Sequence, residues 1–534
     1  MAGTDLQGTG RKKLRWQLTL ITLGMGLAKL LVHLIISGNY ELHRDAYLYL
    51  SYADHPQWGY MSNPPFIMVL SWLAVKIFSG GTFIVRFFPA LAGMISMILV
   101  GRLVKELGGK KWAVIIATTA YLVAPIFLRS NSLYQPVAFD QMFWFMYLYL
   151  FVKLLQTYNK NYWFVLGLVA GLGFLTKYTI IIPVVLTTIF LLATRHRKLL
   201  FTPQILGFVV NIAILASPNL IWQYNHNWPV FSHFKVLSET QLVNMDSGWF
   251  LGMQLIMLAP VLLIWIAGLY NLFAVKDSRP YIVIGYSFIA LIVLMLLLKA
   301  KPYYPAPFYI ILLVFGGIQW ERWFEEKYKW ALWVTTAAMV GASIPLLPLS
   351  LPYLNMERMI GFSTDLKERG LLNPFRWEDG EVHELPQDYA DMTGWKQLAT
   401  LVNNAYESLP EDEKNKCMIY GDNYGKTGAI NYFHRYDKVF PKAFCFEGSF
   451  MFWTPVNVDD YDVLIYVDEP SDFVKENFQN IEFFDKIEDP FFRENGTPVY
   501  ICRNPSPKFY TSYVRLREEI IAPNHRKPHE HNKQ

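Results

Sequence analysis

Long apolar segments separated by short charged loops occupy the first 350 residues of the chain. Apolar runs of about 18 or more residues match the hydrocarbon core of a bilayer and predict membrane-spanning helices. We place such segments at residues 16–36, 83–101, 112–128, 137–155, 161–176, 179–194, 203–221, 249–270, 281–298, 304–320 and 330–348, which makes about 11 transmembrane helices. Beyond residue 350 the density of charged residues rises to that of a soluble domain.

Residues 63–80 are ambiguous. Pro64 and Pro65 open a short apolar helix that either crosses the membrane or lies on its outer surface. The surface placement leaves 18 basic residues in cytoplasmic segments and 8 in outer ones, and a crossing would break this bias. We therefore predict surface helices in the first outer loop, a cytoplasmic N-terminus and an extracytoplasmic C-terminal domain.

The C-terminal part mixes strand-like and helical patterns. Strands are predicted at 417–420, 463–467 and 499–502, and helices at 395–409 and 427–433. Such alternation indicates a small α/β domain. The predicted domains are thus a membrane domain at 1–349, an α/β domain at 350–520 and a disordered tail at 521–534. The glycine-containing turn at 420–426 is either a structural turn or an anion site at a helix N-terminus.

Composition agrees with this division, since 53% of the residues are hydrophobic and only 17% are charged, against about a quarter in soluble proteins. Loop lysines and arginines account for the net charge of +5, so no nucleic-acid partner is implied. Cys417, Cys445 and Cys502 have no CxxC spacing, and we predict no zinc or redox motif. One pair could form a disulfide outside the cytoplasm.

Ionisable residues cluster where the predicted helices reach the outer face. Such residues are costly near a bilayer, which makes them functional candidates. Asp45 and Asp140 supply two carboxylates. Around them we expect cations and tyrosines that bind a phosphate, namely Arg44, Arg86, Arg129, Lys177, Lys299, Lys301, Tyr303 and Tyr304. A pocket for the acceptor or for the transferred group is predicted from Tyr47, Tyr60, Asn63, Gln135, Tyr178 and His226. A carboxylate beside a bound lipid phosphate could take a proton from an attacking hydroxyl, which describes group transfer.

Structural explanations compete with these roles. Arg86 and Arg129 could extend their side chains to lipid phosphates, and Asp140 could cap its helix. Lys29 lies near the middle of the first predicted crossing and needs a partner, either a carboxylate or a polar cavity.

Several ordered motifs stand out along the chain. The first is the outer-loop motif with Arg44-Asp45, Trp58-Gly59-Tyr60 and Pro64-Pro65. The others are the segments 135–144, 171–178, 301–305 and 423–430. Together these motifs resemble the membrane-embedded glycosyltransferases of the GT-C fold, and most of all the protein O-mannosyltransferases and lipid A aminoarabinose transferases of glycosyltransferase family 39.

The resemblance implies transfer of a hexose or pentose, with inversion, from a polyprenyl-phosphate donor to a hydroxyl or phosphate of a protein, lipid A or glycan. It places the reaction at the outer face of the inner membrane, with a periplasmic C-terminal domain and membrane lipids as further partners. Asp45 matches the acidic residue that the family is proposed to use as a base. Many relatives carry a second acid where this chain has Ala46. We therefore expect no metal and no cofactor, and a larger role for Asp140.

Two other functions fit the same pattern. A transporter or flippase of lipid-linked saccharides would need a similar basic cavity, but it should show pseudo-symmetric halves and broken helices, whereas the surface helix at 63–80 and the external domain fit a transferase better. A scaffold whose external domain binds a partner would not need ionisable groups gathered at one membrane depth.

Overall fold

The computed structural model describes residues 2–240, 242 and 246–521, with side chains from residue 14 onward. The predicted tail lies, apart from Ile521, outside these residues. The structure forms two compact units. The membrane unit comprises Met1–Ser37, Phe83–Leu220 and Gln241–Tyr353. The loop–sheet unit comprises Gly38–Thr82, Ile221–Thr240 and Leu354–Gln534.

The described helices are short in the loops and long in the apolar segments. In chain order they are α1 (Ala2–Ile35), α2 (Arg44–Ser51), α3 (Phe66–Trp72), α4 (Thr82–Glu106), α5 (Lys111–Val123), α6 (Pro125–Ser132), α7 (Pro136–Thr157), α8 (Tyr162–Phe174), α9 (Ile181–Leu192), α10 (Gln204–Asn225), α11 (Pro229–Thr240), α12 (Ser247–Ile256), α13 (Leu262–Ala274), α14 (Ile282–Leu297), α15 (Ala306–Phe324), α16 (Lys329–Ser343), α17 (Leu347–Ser350), α18 (Met356–Glu368), α19 (Gln387–Ala390), α20 (Trp395–Glu407), α21 (Glu411–Lys414), α22 (Tyr424–Phe433), α23 (Asp472–Asn477) and α24 (Phe509–Ile521).

Within the described chain, six helical segments are long and apolar enough to cross a membrane: Leu14–Ile35, Thr82–Glu106, Pro136–Thr157, Gln204–Asn225, Lys276–Leu297 and Lys329–Ser350. Two bent pairs raise the number to eight, α5 with α6 at 59° and α12 with Ala259–Ala274 at 64°. Pro125 and Pro260 lie at these breaks. Proline lacks an amide hydrogen and disfavours helical geometry in the residue before it, and this explains why each helix is interrupted there. The predicted fold class, a mainly helical membrane protein, is confirmed.

The other three predicted crossings are also helical, but they differ from ordinary spans. α8 and Tyr178–Leu192 are shorter apolar helices. α15 is buried along nearly its whole length and packs closely on α13. A Cβ on Gly316 would lie 1.9 Å from the Ile264 carbonyl oxygen, and one on Gly268 would lie 2.1 Å from that of Leu312. Glycine is required at both positions, since only its small size allows the two backbones to approach this closely.

Residues 63–80 form a helix too short to be an ordinary span. α3 continues as a π-helical turn over Leu73–Ile77. At 1.5 Å per residue this helix is roughly 18 Å long, against a hydrocarbon thickness of about 30 Å. It belongs to the loop–sheet unit, with α2, α11 and the C-terminal residues. The length agrees with the predicted surface helix.

A four-stranded sheet forms the centre of the loop–sheet unit, in the order β1 (Cys417–Gly421), β2 (Val463–Val467), β4 (Pro498–Pro505) and β3 (Phe478–Lys486). β1 and β2 are parallel, and the other neighbours are antiparallel. One sheet face buries a core of Met418, Phe444, Val458, Leu464, Tyr466, Val474, Phe478, Cys502, Phe509 and Tyr513. The three predicted strands are confirmed, and β3 is an addition. Cys417, Cys445 and Cys502 are buried free thiols, so no disulfide forms among them.

Candidate active site

The candidate base Asp45 lies in the first turn of α2, in the loop–sheet unit. α2 begins after His43, whose extended backbone forms the N-cap. A carboxylate in the first helical turn interacts favourably with the helix dipole. The Asp45 side chain keeps 28% of its surface exposed, so it can meet a substrate.

One side of the Asp45 carboxylate contacts the C-terminal domain. The Tyr424 hydroxyl donates a hydrogen bond of 2.9 Å to its Oδ1. Its Oδ2 lies 3.9 Å from Nδ1 of His43. Sequence reasoning had no means to find the tyrosine contact, because it joins residues from opposite ends of the chain.

His43 is buried among carboxylates. Its Nε2 lies 3.4 Å from Asp391 and 3.7 Å from Asp388. Burial alone would lower the pKa of His43, but hydrogen bonding to Asp388 and Asp391 and the charge of Asp45 raise it to about 10. Burial also opposes ionisation of Asp391, yet His43 and Arg493 together hold the pKa of that carboxyl below its usual value. Nδ1 of His43 accepts a 3.2 Å hydrogen bond from the Asp45 amide, so a second proton on the ring would displace that bond and bring Nδ1–H toward the Asp45 carboxylate.

Arg44 points toward acidic groups of the C-terminal domain. Its guanidinium carbon lies 4.3 Å from the centroid of the Tyr424 ring. Its nitrogens lie 4.0 Å from Glu447 and 4.0 Å from Glu494. The side chain that we predicted to bind a phosphate thus lies between two carboxylates and an aromatic ring of the C-terminal domain.

The glycine-containing turn at 420–426 is structural. The Asn423 side chain accepts hydrogen bonds from the amides of Gly425 and Lys426, and Glu447 accepts one from the amide of Tyr424. Protein oxygens thus fill the N-terminus of α22, which could otherwise have bound an anion. Lys426 is buried between Asp468 and Glu494 and forms ion pairs with both.

A second group of candidate residues converges inside the membrane unit. Asp140 lies near the start of α7 and is 4% exposed. The Thr179 hydroxyl lies 2.9 Å from both of its oxygens and donates to them. Asp140 therefore binds a side chain from the turn before α9. The alternative that Asp140 caps its own helix does not hold, since α7 has no side-chain cap. Thr179 was missed because a threonine near a helix start carries no distinctive sequence signal.

Lys177 joins this group through two tyrosines. Its Nζ lies 4.8 Å from the ring centroid of Tyr304 and 5.5 Å from that of Tyr303. The charges of Asp140 and Lys301 both act on it. The membrane unit thus contains a cationic and aromatic cluster, defined by Asp140, Lys177, Thr179, Lys301, Tyr303 and Tyr304.

Three predicted phosphate-binding cations have other surroundings. Arg86 is buried and donates a 2.6 Å hydrogen bond to the Ser37 carbonyl. Arg129 lies in the last turn of α6, and Lys299 is exposed with a left-handed backbone.

Comparison with known proteins identifies the fold. Residues 62–222 match the family of dolichyl-phosphate-mannose-protein mannosyltransferases. ArnT from Cupriavidus metallidurans bound to undecaprenyl phosphate superposes with a TM-score of 0.62 and 14% identity, covering 89% of this chain and 97% of that chain. Its apo state gives a TM-score of 0.61 and 15% identity over the same shares. This chain has a GT-C glycosyltransferase fold.

Other comparisons are weaker. The archaeal oligosaccharyltransferase AglB from Archaeoglobus fulgidus has a TM-score of 0.45 and 13% identity, covering 92% of this chain and 77% of that chain. No curated protein sequence matches. The resemblance predicted from the motifs is confirmed at the level of the GT-C fold. The family match includes Asp140 and Lys177 but begins after Asp45.

The predicted sugar and acceptor residues divide between the two units. Gln135 precedes α7 in the membrane unit, where the Tyr178 hydroxyl donates to Asn219. The loop–sheet unit holds Tyr47, Tyr60, Asn63 and His226.

Two of these four residues, Tyr47 and Tyr60, are buried in aromatic packing. Tyr47 is 1% exposed and packs against Trp395, Tyr432 and Phe433. Tyr60 is fully buried and stacks on another tyrosine at a centroid distance of 3.7 Å. Neither ring presents a surface to a sugar in this conformation.

Lys29 and His33 have a structural explanation. Lys29 is fully buried, and its Nζ donates to the Phe127 carbonyl at 3.0 Å. His33 lies beside the next carbonyl, that of Leu128. The partner of Lys29 is therefore the backbone of the bent segment α6, and neither a carboxylate nor a cavity is needed to explain it.

Proposed function

We propose that this protein transfers a sugar from a polyprenyl-phosphate donor to an acceptor hydroxyl at the outer face of the cytoplasmic membrane. The acceptor belongs to a glycan, lipid A or protein of the cell envelope, and the N-terminus lies in the cytoplasm. The observation that carries the proposal is the cluster around Lys177, which brings two cations, two tyrosines and a carboxylate together inside an apolar unit. Ionisable groups within an apolar membrane unit are costly, so a cluster of them is a candidate functional site.

The cluster suits the phosphate of a lipid whose tail remains in the membrane. Lys177 and Lys301 would neutralise the phosphate, and the hydroxyls of Tyr303 and Tyr304 can donate to its oxygens. The same cations would stabilise the charge that develops as the phosphate leaves. ArnT, which shares the fold, was crystallised with undecaprenyl phosphate, and this supports a lipid of that class. We leave Arg44 out of the phosphate-binding set because carboxylates and Tyr424 surround it.

Asp45 would act as the general base. The acceptor oxygen attacks the anomeric carbon while the bond from that carbon to the phosphate oxygen breaks, and the configuration inverts. The hydroxyl proton passes to Asp45, and polyprenyl phosphate leaves as the anion. Asp140 has a different role, since it balances the charge of Lys177 before the donor binds.

The test uses purified full-length protein in lipid nanodiscs with a panel of polyprenyl-phosphate hexoses and pentoses and a cell-envelope extract as acceptor. We expect sugar-dependent release of free polyprenyl phosphate. Asp45→Asn should lower turnover by about 10² to 10⁴ and leave donor binding unchanged, because only the base is lost. Lys177→Gln should weaken donor binding, whereas Lys327→Gln, at an exposed position, should behave as the wild type.

Two results would refute the proposal. Movement of the lipid-linked sugar across a vesicle membrane with no release of polyprenyl phosphate would favour a flippase. Near-normal turnover of Asp45→Asn would remove Asp45 from the chemistry.

A further inference from the structure

Tyr424 is the first residue of α22 and reaches the candidate base directly. Its hydroxyl donates to Oδ1 of Asp45 at 2.9 Å. Burial and the neighbouring Asp45 charge raise the pKa of Tyr424 well above its usual value, so the phenol keeps its proton and remains the donor. This hydrogen bond joins two residues of the loop–sheet unit.

Tyr424 is held both at its ring and at its backbone. The Arg44 guanidinium covers it at 4.3 Å, and the Tyr424 amide donates to Glu447 at 2.9 Å. The next residue, Gly425, leaves room for Arg44, since a Cβ there would lie 2.7 Å from Arg44 Cγ. The phenol therefore has little freedom to turn away from the carboxylate.

α22 as a whole also packs tightly on α2. A Cβ on Gly428 would lie 2.9 Å from the carbonyl carbon of Tyr47. The ring of Tyr47 packs against Tyr432 and Phe433, at the other end of α22. These contacts place the start of α22 at a defined distance from the first turn of α2.

We propose that Tyr424 is a positioning residue for Asp45: its hydroxyl holds Oδ1 and thereby fixes the orientation of the carboxylate that receives the acceptor proton. The proposal rests on the proposed function, because it needs Asp45 to act as the base. A hydrogen bond to a carboxylate also favours its ionised form, which is the form that accepts a proton. An orientation error of about 1 Å can cost on the order of 10² in rate.

Tyr424→Phe tests this role, since it removes the hydroxyl and keeps the ring beneath Arg44. We expect kcat to fall by about 10 to 100-fold with the KM for the donor unchanged. Tyr500→Phe is the matched control: it removes a hydroxyl that donates to Glu469 at 3.2 Å in the same unit. The control should keep the wild-type kcat and KM.

A second readout does not depend on turnover. Carbodiimide-driven amidation, followed by peptide mass spectrometry, measures the reactivity of the Asp45 carboxyl at mildly acid pH. Tyr424→Phe should react several-fold faster than the wild type and Tyr500→Phe at the wild-type rate.

The two measurements distinguish failure of the proposed function from failure of the positioning role. Wild-type protein without turnover on any donor would sink the proposed function, and the amidation rate alone would then decide whether Tyr424 holds Asp45. An unchanged kcat in Tyr424→Phe, or an unchanged amidation rate, would overturn the positioning role.

Discussion

Adding one methyl group at Gly428 should loosen the contact between α22 and α2. An ideal Cβ at this position meets the carbonyl carbon and the Cβ of Tyr47 at 2.9 Å and the carbonyl oxygen at 3.0 Å. Two of the three atoms are backbone, so no side-chain rotation relieves the clash. In Gly428→Ala one helix must therefore shift against the other.

The size of the effect follows from two opposing contributions. Overpacking a close contact costs about 1–3 kcal/mol. Alanine in a helix interior gains about 0.5–1 kcal/mol over glycine. We expect the difference to be a net loss of roughly 1–2 kcal/mol in the local stability of α2, which corresponds to a factor of about 5 to 30 in the open population.

Hydrogen–deuterium exchange of the full-length protein measures this local opening. The amides of Arg44–Ser51 should exchange faster in Gly428→Ala by about that factor. Gly361→Ala is the matched control, because Gly361 lies on the exposed surface of α18 with no atom within 4 Å of its Cβ position. In Gly361→Ala only the stabilising effect of alanine over glycine in a helix remains, so hydrogen exchange of the α18 amides should slow. Wild-type exchange of α2 in Gly428→Ala would refute the close packing of the two helices.

Three further predictions concern charge and hydrogen bonding. The raised pKa of His43 means that its stabilising contribution is fully present below about pH 6.5, declines above it and is lost as the pH rises through about 10. His43→Gln should therefore lower the thermal midpoint strongly at pH 6 and little at pH 10, and an equal loss at both would contradict the charged cluster. Thr179→Val should destabilise the protein by about 1–3 kcal/mol, because it leaves the buried Asp140 carboxylate without its hydroxyl donor. The control Thr188→Val should cost less, since the Thr188 hydroxyl donates to a carbonyl of its own helix. The motif resemblance implies a second acid at the position of Ala46, and its replacement here leads us to expect that turnover survives EDTA; a loss that added divalent cations restore would show that this reasoning fails.

Hydrophobic patterning predicted the elements better than it predicted their partners. Apolar length located the spans, and β-branched runs located β1, β2 and β4. β3 was missed because most of its residues are exposed, so that it shows little apolar alternation. α15 was predicted as an ordinary crossing, although its burial and its contact with α13 make it part of the bundle interior.

Candidate residues were found where ionisable groups stand out against apolar sequence, as Asp140 and Lys177 do. Contrast with the surrounding sequence does not reveal residues whose role depends on a partner far away in the chain. Tyr424 lies 379 residues from Asp45, and no local pattern reports that separation. The partner of Lys29 is a backbone carbonyl at a helix break, which leaves no mark on side-chain composition. Convergence of Asp45 with the Lys177 cluster on a single pocket stays a prediction.

The helix that carries Asp45 depends on the C-terminal domain for its structure. α2 has eight residues, and isolated helices shorter than about 12 residues are marginal in water. Its buried side chains, Tyr47 above all, find their partners on α20 and α22. The conformation of the candidate base is therefore set by residues more than 300 positions away. Substitutions in α22 that meet neither donor nor acceptor should consequently change the rate of the chemical step through the position of Asp45.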